Sequence, residues 1–541
     1  MESPPNRVLM LVVICLGFFM IMLDTTIVYV ATPSILTSLH STLDQVLWVF
    51  NGYLLAYAVL LITGGRLADL YGPRNMFVGG LLLFTAASAL CGLSQDANQL
   101  IAARVLQGVG GALLAPQSLT LLTALFPAER RGAALGVWGM VVGLSTVAGP
   151  TLGGLIVTYS DWRWIFFLNV PIGIVAVAAA LVLIPDVRPG RSHRMDVVGV
   201  LLASAALFLF VFAVIEGQRY DWSTFSGWLT IPEILGAGVL VFAGFLAWER
   251  RQAEPLVPLE LFRERNFAAM NWVGMAMSFG MQGVFIPLTI FMQSVLGMSP
   301  LVSGLAFAPM SLASMVSSPI AGRLADRLGG KWLLMGGLTM FSAGMGGAAW
   351  SSTLTSGWQD YLPWLVLAGL GLGFVFAPMT TVAMRNMTPR QAAGASGVLN
   401  TTRQLGSVFG AAVVGAVLQN RLASALREQA TTASAQLPAP FQKSFVDGFA
   451  AAAKSGLQVG RGQTGGAPLP AGLPAAVQSQ VQALVQQVFD NAYLAAMKPT
   501  VGVAVAVLLL GALSCLLVQA NRGAARPAEA DVGTADVARI A

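Results

Sequence analysis

Fourteen stretches of about 20 mostly apolar residues recur along this 541-residue chain, and they limit its fold more than any other feature. A helix that crosses the hydrocarbon core of a bilayer needs ~20 such residues. The stretches lie at 8–33, 45–64, 76–95, 99–123, 133–158, 163–184, 197–216, 226–248, 268–293, 302–324, 332–351, 361–384, 394–418 and 498–519. The sequence therefore predicts an all-α membrane protein with 14 transmembrane helices.

The scarcity of charge excludes a soluble fold. Only 10% of the residues are charged, whereas soluble domains carry roughly a quarter. A chain of this length could not cover a globular surface with so few polar groups. Cys15, Cys91 and Cys515 lie in apolar stretches without metal-ligand spacing, so we expect buried, inert thiols.

The placement of Lys and Arg predicts the orientation. If the N-terminus is cytoplasmic, 20 basic residues fall in cytoplasmic segments and only Arg163 and Arg219 in short outer loops. Both termini are therefore predicted to be cytoplasmic. Residues 419–497 form a long predicted outer loop, which the rule does not govern, and helical spacing from Val477 to Phe489 favours an interfacial or hairpin helix there.

An internal repeat predicts the architecture. Gly65–Asp69 recurs as Gly322–Asp326, each after the second helix of its half, and the Ala-Pro pair ending at Pro116 is echoed at Pro378. Parallel six-helix repeats around a central cavity are a plan of secondary transporters. We predict a 6+2+6 arrangement. Its parts are an N-terminal bundle at 1–190, two accessory helices at 191–255, and a C-terminal bundle at 256–541 that includes the 419–497 loop.

Four runs resemble a known family: Gly65–Arg74, Arg104–Gly111, Gly149–Gly154 and Leu23–Val28. They are similar to those of drug:proton antiporters of the major facilitator superfamily, in the fourteen-helix branch. The resemblance covers nearly the whole chain apart from 419–497. It implies the major facilitator fold and proton-coupled export of hydrophobic compounds.

The resemblance implies that the loop after helix two latches the two halves together at the cytoplasmic face. The residues concerned are Gly65, Arg66, Asp69, Gly72 and Arg74. A simple positive-inside loop is the alternative, and the repeated motif argues against it.

Arg104 lies within an otherwise apolar span, where a charge costs at least ~2.5–3.5 kcal/mol without a partner or a cavity. The corresponding position in the second half is Val366, so the repeat does not require the charge. The resemblance implies a role for Arg104 in proton coupling. Snorkelling to the outer interface is the alternative, because Arg104 lies about one turn from the helix start.

Asp24 is the only acid deep inside a predicted span, ~24 Å along helix one. An isolated carboxylate in a low-dielectric medium can gain and lose a proton near neutral pH. Both histidines, His40 and His193, fall in loops. Asp24 is therefore the candidate proton carrier, and a purely structural, hydrogen-bonded Asp is the alternative.

Helix five contains Gly149, Pro150, Gly153 and Gly154. Small residues let helices approach closely, and proline loosens the preceding turn. The resemblance implies an antiporter motif here. Generic small-residue packing is the alternative.

Candidate substrate contacts lie on three helices. They are Gln107, Asn271, Met281, Gln282 and Arg403. Helix nine is rich in Met and Phe, which suit adaptable apolar pockets, although we expect most of these side chains to face lipid. Arg403 is expected either to pair with a carboxylate or to face the cavity.

Motifs for other function classes are absent from the sequence. Gly330-Lys331 is followed by Trp332, which breaks a P-loop, and there is no zinc motif or nucleophile elbow. We therefore predict no enzyme, cofactor, metal or nucleic-acid partner. The expected partners are a hydrophobic small molecule, protons and the bilayer of a bacterial cytoplasmic membrane. A lipid exporter on the same fold, and docking of a periplasmic adaptor in a Gram-negative cell, stay open.

Overall fold

The computed structural model is almost entirely helical, as the sequence predicts. It describes residues 7–126, 141, 145, 148–186, 196–220, 222–252, 255, 259–328, 330–385, 387, 389–455 and 475–519. The chain ends lie outside these ranges, so the cytoplasmic location of the termini stays a prediction.

The helices follow the predicted stretches closely. The first half contains α1 (Arg7–Ser38), α2 (Leu43–Tyr71), α3 (Pro73–Leu93), α4 (Ala97–Leu125), α5 (described over 148–159), α6 (Trp164–Phe167) and α7 (Asn169–Leu183). The accessory part contains α8 (Val197–Arg219), β1 (Thr224–Ser226), β2 (Leu229–Thr230) and α9 (Ile231–Glu249). The second half contains a 3-10 turn (Leu259–Arg263), α10 (Arg265–Ile290), a π-turn (Phe291–Val295), α11 (Pro300–Ala306), α12 (Ala308–Leu328), α13 (Gly330–Ser351), α14 (Trp358–Met384), α15 (Pro389–Ser434), α16 (Ala439–Ser455), α17 (Ala475–Ser514) and a 3-10 turn (Cys515–Leu517).

Twelve spans in the described ranges are long and apolar enough to cross a membrane. The other two predicted spans are 332–351 and 133–158. The first is helical as α13, but its mean hydropathy is too low for it to count among the twelve, because it is rich in glycine and serine. The second is only partly described. The number fourteen therefore stays a prediction.

The accessory helices form a hairpin beside the interface between the two halves. The two-stranded ribbon β1–β2 joins α8 to α9, and α8 packs on α2 and α15. Trp48 on α2 donates its indole N–H to Glu216 on α8 at 3.0 Å, and its ring lies 6.1 Å from that of Phe212. Glu233 is exposed and caps the start of α9 with Thr230.

The described part of the predicted outer segment 419–497 is helical, as the spacing from Val477 to Phe489 predicts for its second half, and its location outside the membrane stays a prediction. Helix α15 continues to Ser434, α16 follows, and α17 begins at Ala475 and runs without a break into the last span. The stretch with helically spaced apolar residues from Val477 to Phe489 thus belongs to the first part of the 40-residue helix α17 and does not form a separate helix. These extensions are polar on one side, so hydropathy gave no signal for them. The Gly-rich part at 456–466 lies outside the described residues.

Two adjacent glycines on α3 test how tightly the first half is packed. A Cβ on Gly80 would lie 2.8 Å from the Leu114 nitrogen of α4, whereas a Cβ on Gly79 would meet nothing within 4 Å. We expect Gly80→Ala to lower the free energy of unfolding by about 1–3 kcal/mol, because α4 backbone cannot move aside cheaply. Gly79→Ala should leave it unchanged or raise it slightly. Thermal melting in detergent is the measurement, and equal melting temperatures would contradict close α3–α4 contact.

Candidate functional site: a buried charge network

Asp24 and Arg104 form a buried ion pair in the first half of the molecule. A guanidinium nitrogen of Arg104 donates to Asp24 Oδ2 at 2.5 Å, and the two side chains are 1% and 0% exposed. The snorkelling alternative for Arg104 is therefore wrong. Asp24 is also not an isolated carboxylate, because its counter-charge comes from a helix 80 residues further along the chain. A buried pair with this geometry can survive in a low-dielectric medium only if its other polar atoms are satisfied.

Two amides satisfy those atoms. Gln107 lies one turn after Arg104 on α4, accepts from the guanidinium at 2.8 Å and donates to Asp24 Oδ1 at 2.9 Å. Asn169, the first residue of α7, donates to the same Asp24 oxygen at 3.3 Å and to the Ser88 hydroxyl at 3.1 Å. Gln107 was a substrate-cavity candidate, but it is fully buried within the charge network. Asn169 and Ser88 were missed, although a polar residue in an apolar helix is a usable signal.

Helix α2 completes the site because the glycines of α4 let it approach. A Cβ on Gly108 would collide with the Tyr53 carbonyl oxygen, and a Cβ on Gly111 would lie 3.0 Å from the Tyr57 ring. The Arg104 guanidinium consequently lies 4.1 Å from the Tyr53 ring centroid, and its Nε donates to the Val49 carbonyl at 3.3 Å. The ring face and the carbonyl add to the stabilisation of the charge. No sequence signal identified Tyr53.

Polar contacts join α1 to the second half beyond the ion pair. The Tyr29 hydroxyl donates to the Gln282 side-chain oxygen on α10, and Gln293 donates to the Val30 carbonyl at 2.9 Å. Tyr29 also stacks between Phe50 and Phe285, with ring centroids 5.1 and 5.9 Å away. Gln282, a substrate-contact candidate, is thus a contact between halves. Tyr29 lies five residues after Asp24, so one helix carries both the ion pair and this contact.

The predicted antiporter motif lies at a crossing of three helices. A Cβ on Gly149 would collide with the Thr26 side chain of α1, and a Cβ on Gly153 would lie 2.8 Å from the Ile27 side chain. On the opposite side, a Cβ on Gly154 would lie 2.6 Å from the Pro300 carbonyl oxygen of α11. A Cβ on Gly304 would collide with the Pro150 carbonyl oxygen. The Thr158 hydroxyl accepts a hydrogen bond from the Leu301 amide at 2.9 Å. These contacts close the interface between the halves at the predicted outer end.

The loop predicted to be a latch turns tightly at Gly72. This residue ends α2 with φ of 87°, which favours glycine, and Pro73 begins α3 directly. Arg74 donates to the Leu181 carbonyl near the end of α7, which ties the loop to the first half. Gly65 is described, but the side chains of Arg66 and Asp69 lie outside the described residues. The latch role stays a prediction.

The expectation that the Met and Phe residues of helix nine face lipid is wrong. Most of this helix, α10, is buried, because α1, α14, α15 and α17 surround it. Met277, Phe279, Phe285, Phe291 and Met292 are all at most 9% exposed, and Met281 is partly buried. Apolar residues are favourable both against lipid and in a protein interior, so the composition of the helix could not distinguish these two environments.

Two further substrate-contact candidates have distinct surroundings. Asn271 is 2% exposed and donates to the Phe267 carbonyl at 2.8 Å within its own helix. Arg403 on α15 is partly exposed, and its guanidinium lies 4.6 Å from the Phe376 ring centroid. The structure shows no carboxylate partner for Arg403 among the described residues, and the prediction that Arg403 faces the cavity stays a prediction.

Comparison with known proteins decides the family. The profile of the Major Facilitator Superfamily matches residues 14–411. This chain belongs to that superfamily. It is accordingly a multi-pass transporter of the bacterial cytoplasmic membrane, and transporters of this superfamily are not enzymes.

Several relatives within the superfamily carry names that describe resistance or export. The tetracenomycin C resistance and export protein of Streptomyces glaucescens is 38% identical over 431 residues, covering 79% of this chain and 78% of the relative. Multidrug resistance protein Stp of Mycobacterium tuberculosis is 36% identical over 439 residues, covering 81% and 80%. The puromycin resistance protein of Streptomyces alboniger is 36% identical over 440 residues, covering 80% and 86%.

A solved structure supports the same fold. A bacterial homologue of the human lysosomal transporter Spinster superposes with a TM-score of 0.62, covering 96% of this chain and 100% of the other. The sequence identity is 15%, so this likeness concerns the fold alone.

The geometry around Arg104 predicts that lysine cannot replace arginine at this position without a loss of transport. Arg104→Lys keeps the charge, but the single ammonium nitrogen does not reproduce the planar fork whose separate nitrogens reach Asp24, Gln107 and the Val49 carbonyl. We expect substrate exchange across vesicle membranes to fall at least about tenfold. Arg163→Lys is the control, because Arg163 pairs with Asp161 on the exposed surface at 3.3 Å. Exchange at the wild-type rate in Arg104→Lys would refute a geometric role for the guanidinium.

Proposed function

We propose that this transporter is a proton-coupled antiporter that exports hydrophobic drugs or other lipophilic compounds across the cytoplasmic membrane. The observation that carries the proposal is the Asp24–Arg104 pair, which is fully buried between α1 and α4. An ionisable pair inside a membrane bundle is costly and is typical of a proton pathway. The names of the relatives from Streptomyces and Mycobacterium support drug export as the transport class.

The proposed cycle uses the ion pair as a switch. A proton that enters from the outer side neutralises Asp24 and weakens its bonds to Arg104 and Gln107. Because Tyr29 on the same helix contacts Gln282 of the second half, a shift of α1 changes the interface between the halves. Substrate and proton then favour opposite conformations, so one turnover exchanges them.

We also propose that the 6+2+6 division underlies the movement. The bundles at 1–190 and 256–541 rock about a central cavity, and the accessory part at 191–255 stays beside the α2–α15 interface. The contacts of Gly154 and Gly304 close the predicted outer end, and the latch residues Gly65, Arg66, Asp69, Gly72 and Arg74 close the predicted cytoplasmic end in the alternate state.

Two measurements test the proposal. A drug-susceptibility panel compares a deletion strain with an overexpressing strain, and we expect overexpression to raise the inhibitory concentration of several lipophilic compounds. Inside-out vesicles with an imposed pH gradient, acidic inside, should then accumulate those compounds, and an uncoupler should abolish accumulation. A flat panel would contradict drug export and favour a lipid or an endogenous metabolite. Accumulation that ignores the pH gradient would contradict proton coupling.

A further inference from the structure

Arg403 carries a positive charge in the first third of α15, and no acid among the described residues of the second half neutralises it. Arg104 has Asp24 as its counter-charge, whereas no acid in the described part of the chain pairs with Arg403. Its Nε atom is buried without a hydrogen-bond acceptor among the described residues. A cation inside a membrane bundle needs a partner or a polar space. The position therefore requires an explanation that neither packing nor the ion pair supplies.

The surroundings of Arg403 come from both halves. The Phe376 ring of α14 lies under the guanidinium at 4.6 Å, and α15 packs against α2, the helix that carries Tyr57. On α10, Gly274 leaves room, because a Cβ there would lie 2.9 Å from Arg403 Cγ. Arg403 and Phe376 both keep intermediate exposure, while Tyr57 is buried. The described residues therefore cover the guanidinium and the Phe376 ring only in part.

Two tyrosines separate this position from the ion pair. Tyr57 stacks on Tyr53 with ring centroids 6.0 Å apart and an interplanar angle of 9°, and Tyr53 covers Arg104 at 4.1 Å. Arg104 therefore lies against one end of an aromatic pair on α2, and α2 also packs on the helix of Arg403. Asp24 is already satisfied by Arg104 and the two amides, so it does not neutralise Arg403. A negative charge from another molecule would complete the site.

We propose that Arg403, Phe376 and Tyr57 form a subsite for the acidic group of an aromatic substrate, a carboxylate or a phenolate. The planar guanidinium can donate two parallel hydrogen bonds to a carboxylate, and the Phe376 ring offers a face for an aromatic substrate. A cationic drug would be repelled from the same position. This inference rests on the proposed export function and names the charge class of its substrates.

The test compares two fluorescent probes that differ by one charge, 9-anthracenecarboxylate and its methyl ester. Binding to the purified full-length transporter in nanodiscs is measured by fluorescence titration. We expect the wild type to bind the carboxylate about tenfold more tightly than the ester, because charge-assisted hydrogen bonds are roughly twice as strong as neutral ones. Arg403→Gln should weaken carboxylate binding about tenfold and change ester binding less than about twofold. Arg163→Gln is the surface control and should change neither.

Two outcomes would overturn the subsite: a wild type without preference for the carboxylate, or an Arg403→Gln variant that weakens both probes equally. If Arg403→Gln is not recovered from the membrane, Arg403→Lys gives the same comparison, with an expected loss of about threefold for the carboxylate alone. The titration uses no pH gradient, so it does not depend on proton coupling. A preserved charge preference in a protein that fails the vesicle assay would refute the proposed function and leave the subsite standing.

Discussion

Asp24→Asn is expected to abolish substrate accumulation driven by a pH gradient. The amide is nearly isosteric with the carboxylate and can still accept from Gln107 and Asn169, but it cannot bind and release a proton. Transport would then be limited to equilibration, so accumulation in vesicles should fall to the passive level. The measurement is uptake of an identified substrate at equal protein content, with and without an imposed gradient. Gradient-driven accumulation near the wild-type level in Asp24→Asn would eliminate Asp24 as the proton carrier.

The same substitution should also destabilise the protein. It leaves the Arg104 charge buried without its counter-charge, and breaking one side of a buried pair costs about 3–5 kcal/mol. The double variant Asp24→Asn/Arg104→Gln removes both charges, so we expect its melting temperature to recover much of the loss. Its proton-driven transport should stay absent. This combination separates a role in coupling from a role in folding, because only the second is restored.

Gly154→Leu is expected to hold the transporter away from the conformation seen here. A Cβ at this position would already lie 2.6 Å from the Pro300 oxygen and 2.7 Å from Leu301 Cα, both in the backbone of α11. Overpacking of this kind costs about 2 kcal/mol, which shifts a two-state equilibrium by about 30-fold. Because alternating access needs both conformations, transport should fall by a similar factor.

The matched control for that variant is Gly79→Leu. Gly79 is a helical glycine of the same half with nothing within 4 Å of its Cβ position, so transport should stay within about twofold of wild type. The conformational change itself can be measured by labelling single cysteines placed at the predicted outer ends of α5 and α11, in a background that lacks the natural cysteines. Greater outer accessibility in Gly154→Leu is the expected result. Unchanged labelling together with normal transport would refute closure of the halves at this crossing.

Much of the helix pattern could be predicted because burial in lipid demands long apolar runs. The runs at 8–33 and 76–95 correspond to α1 and α3 within a few residues. The prediction missed how far α15 and α17 extend into 419–497, because these parts are polar on one side and give no hydropathy signal. The prediction that the Met and Phe side chains of α10 face lipid also failed. Apolar side chains are equally suited to contact with lipid and with a neighbouring helix, so residue type does not distinguish the two.

The charged residues of the candidate site could be identified individually but not as a group. Asp24 and Arg104 each stood out because an isolated charge in an apolar span is costly. Their direct contact depends on how α1 packs on α4, which the sequence pattern does not specify. Asn169 and Ser88 gave weak signals, and Tyr53 gave none, since its role depends on the close approach of α2 to α4.

The sequence by itself determined that this is a many-span membrane protein built from two related halves, with rare charges at a few interior positions. Apolar length, the repeat and the cost of charge in hydrocarbon are local or periodic properties, so they can be read from the chain. Only the tertiary structure decided which charge is neutralised and which is not. Arg104 lies against Asp24, while Arg403 lies on an aromatic ring and pairs with no carboxylate among the described residues. That difference arises from helix packing between distant segments, and packing is a property of the folded molecule.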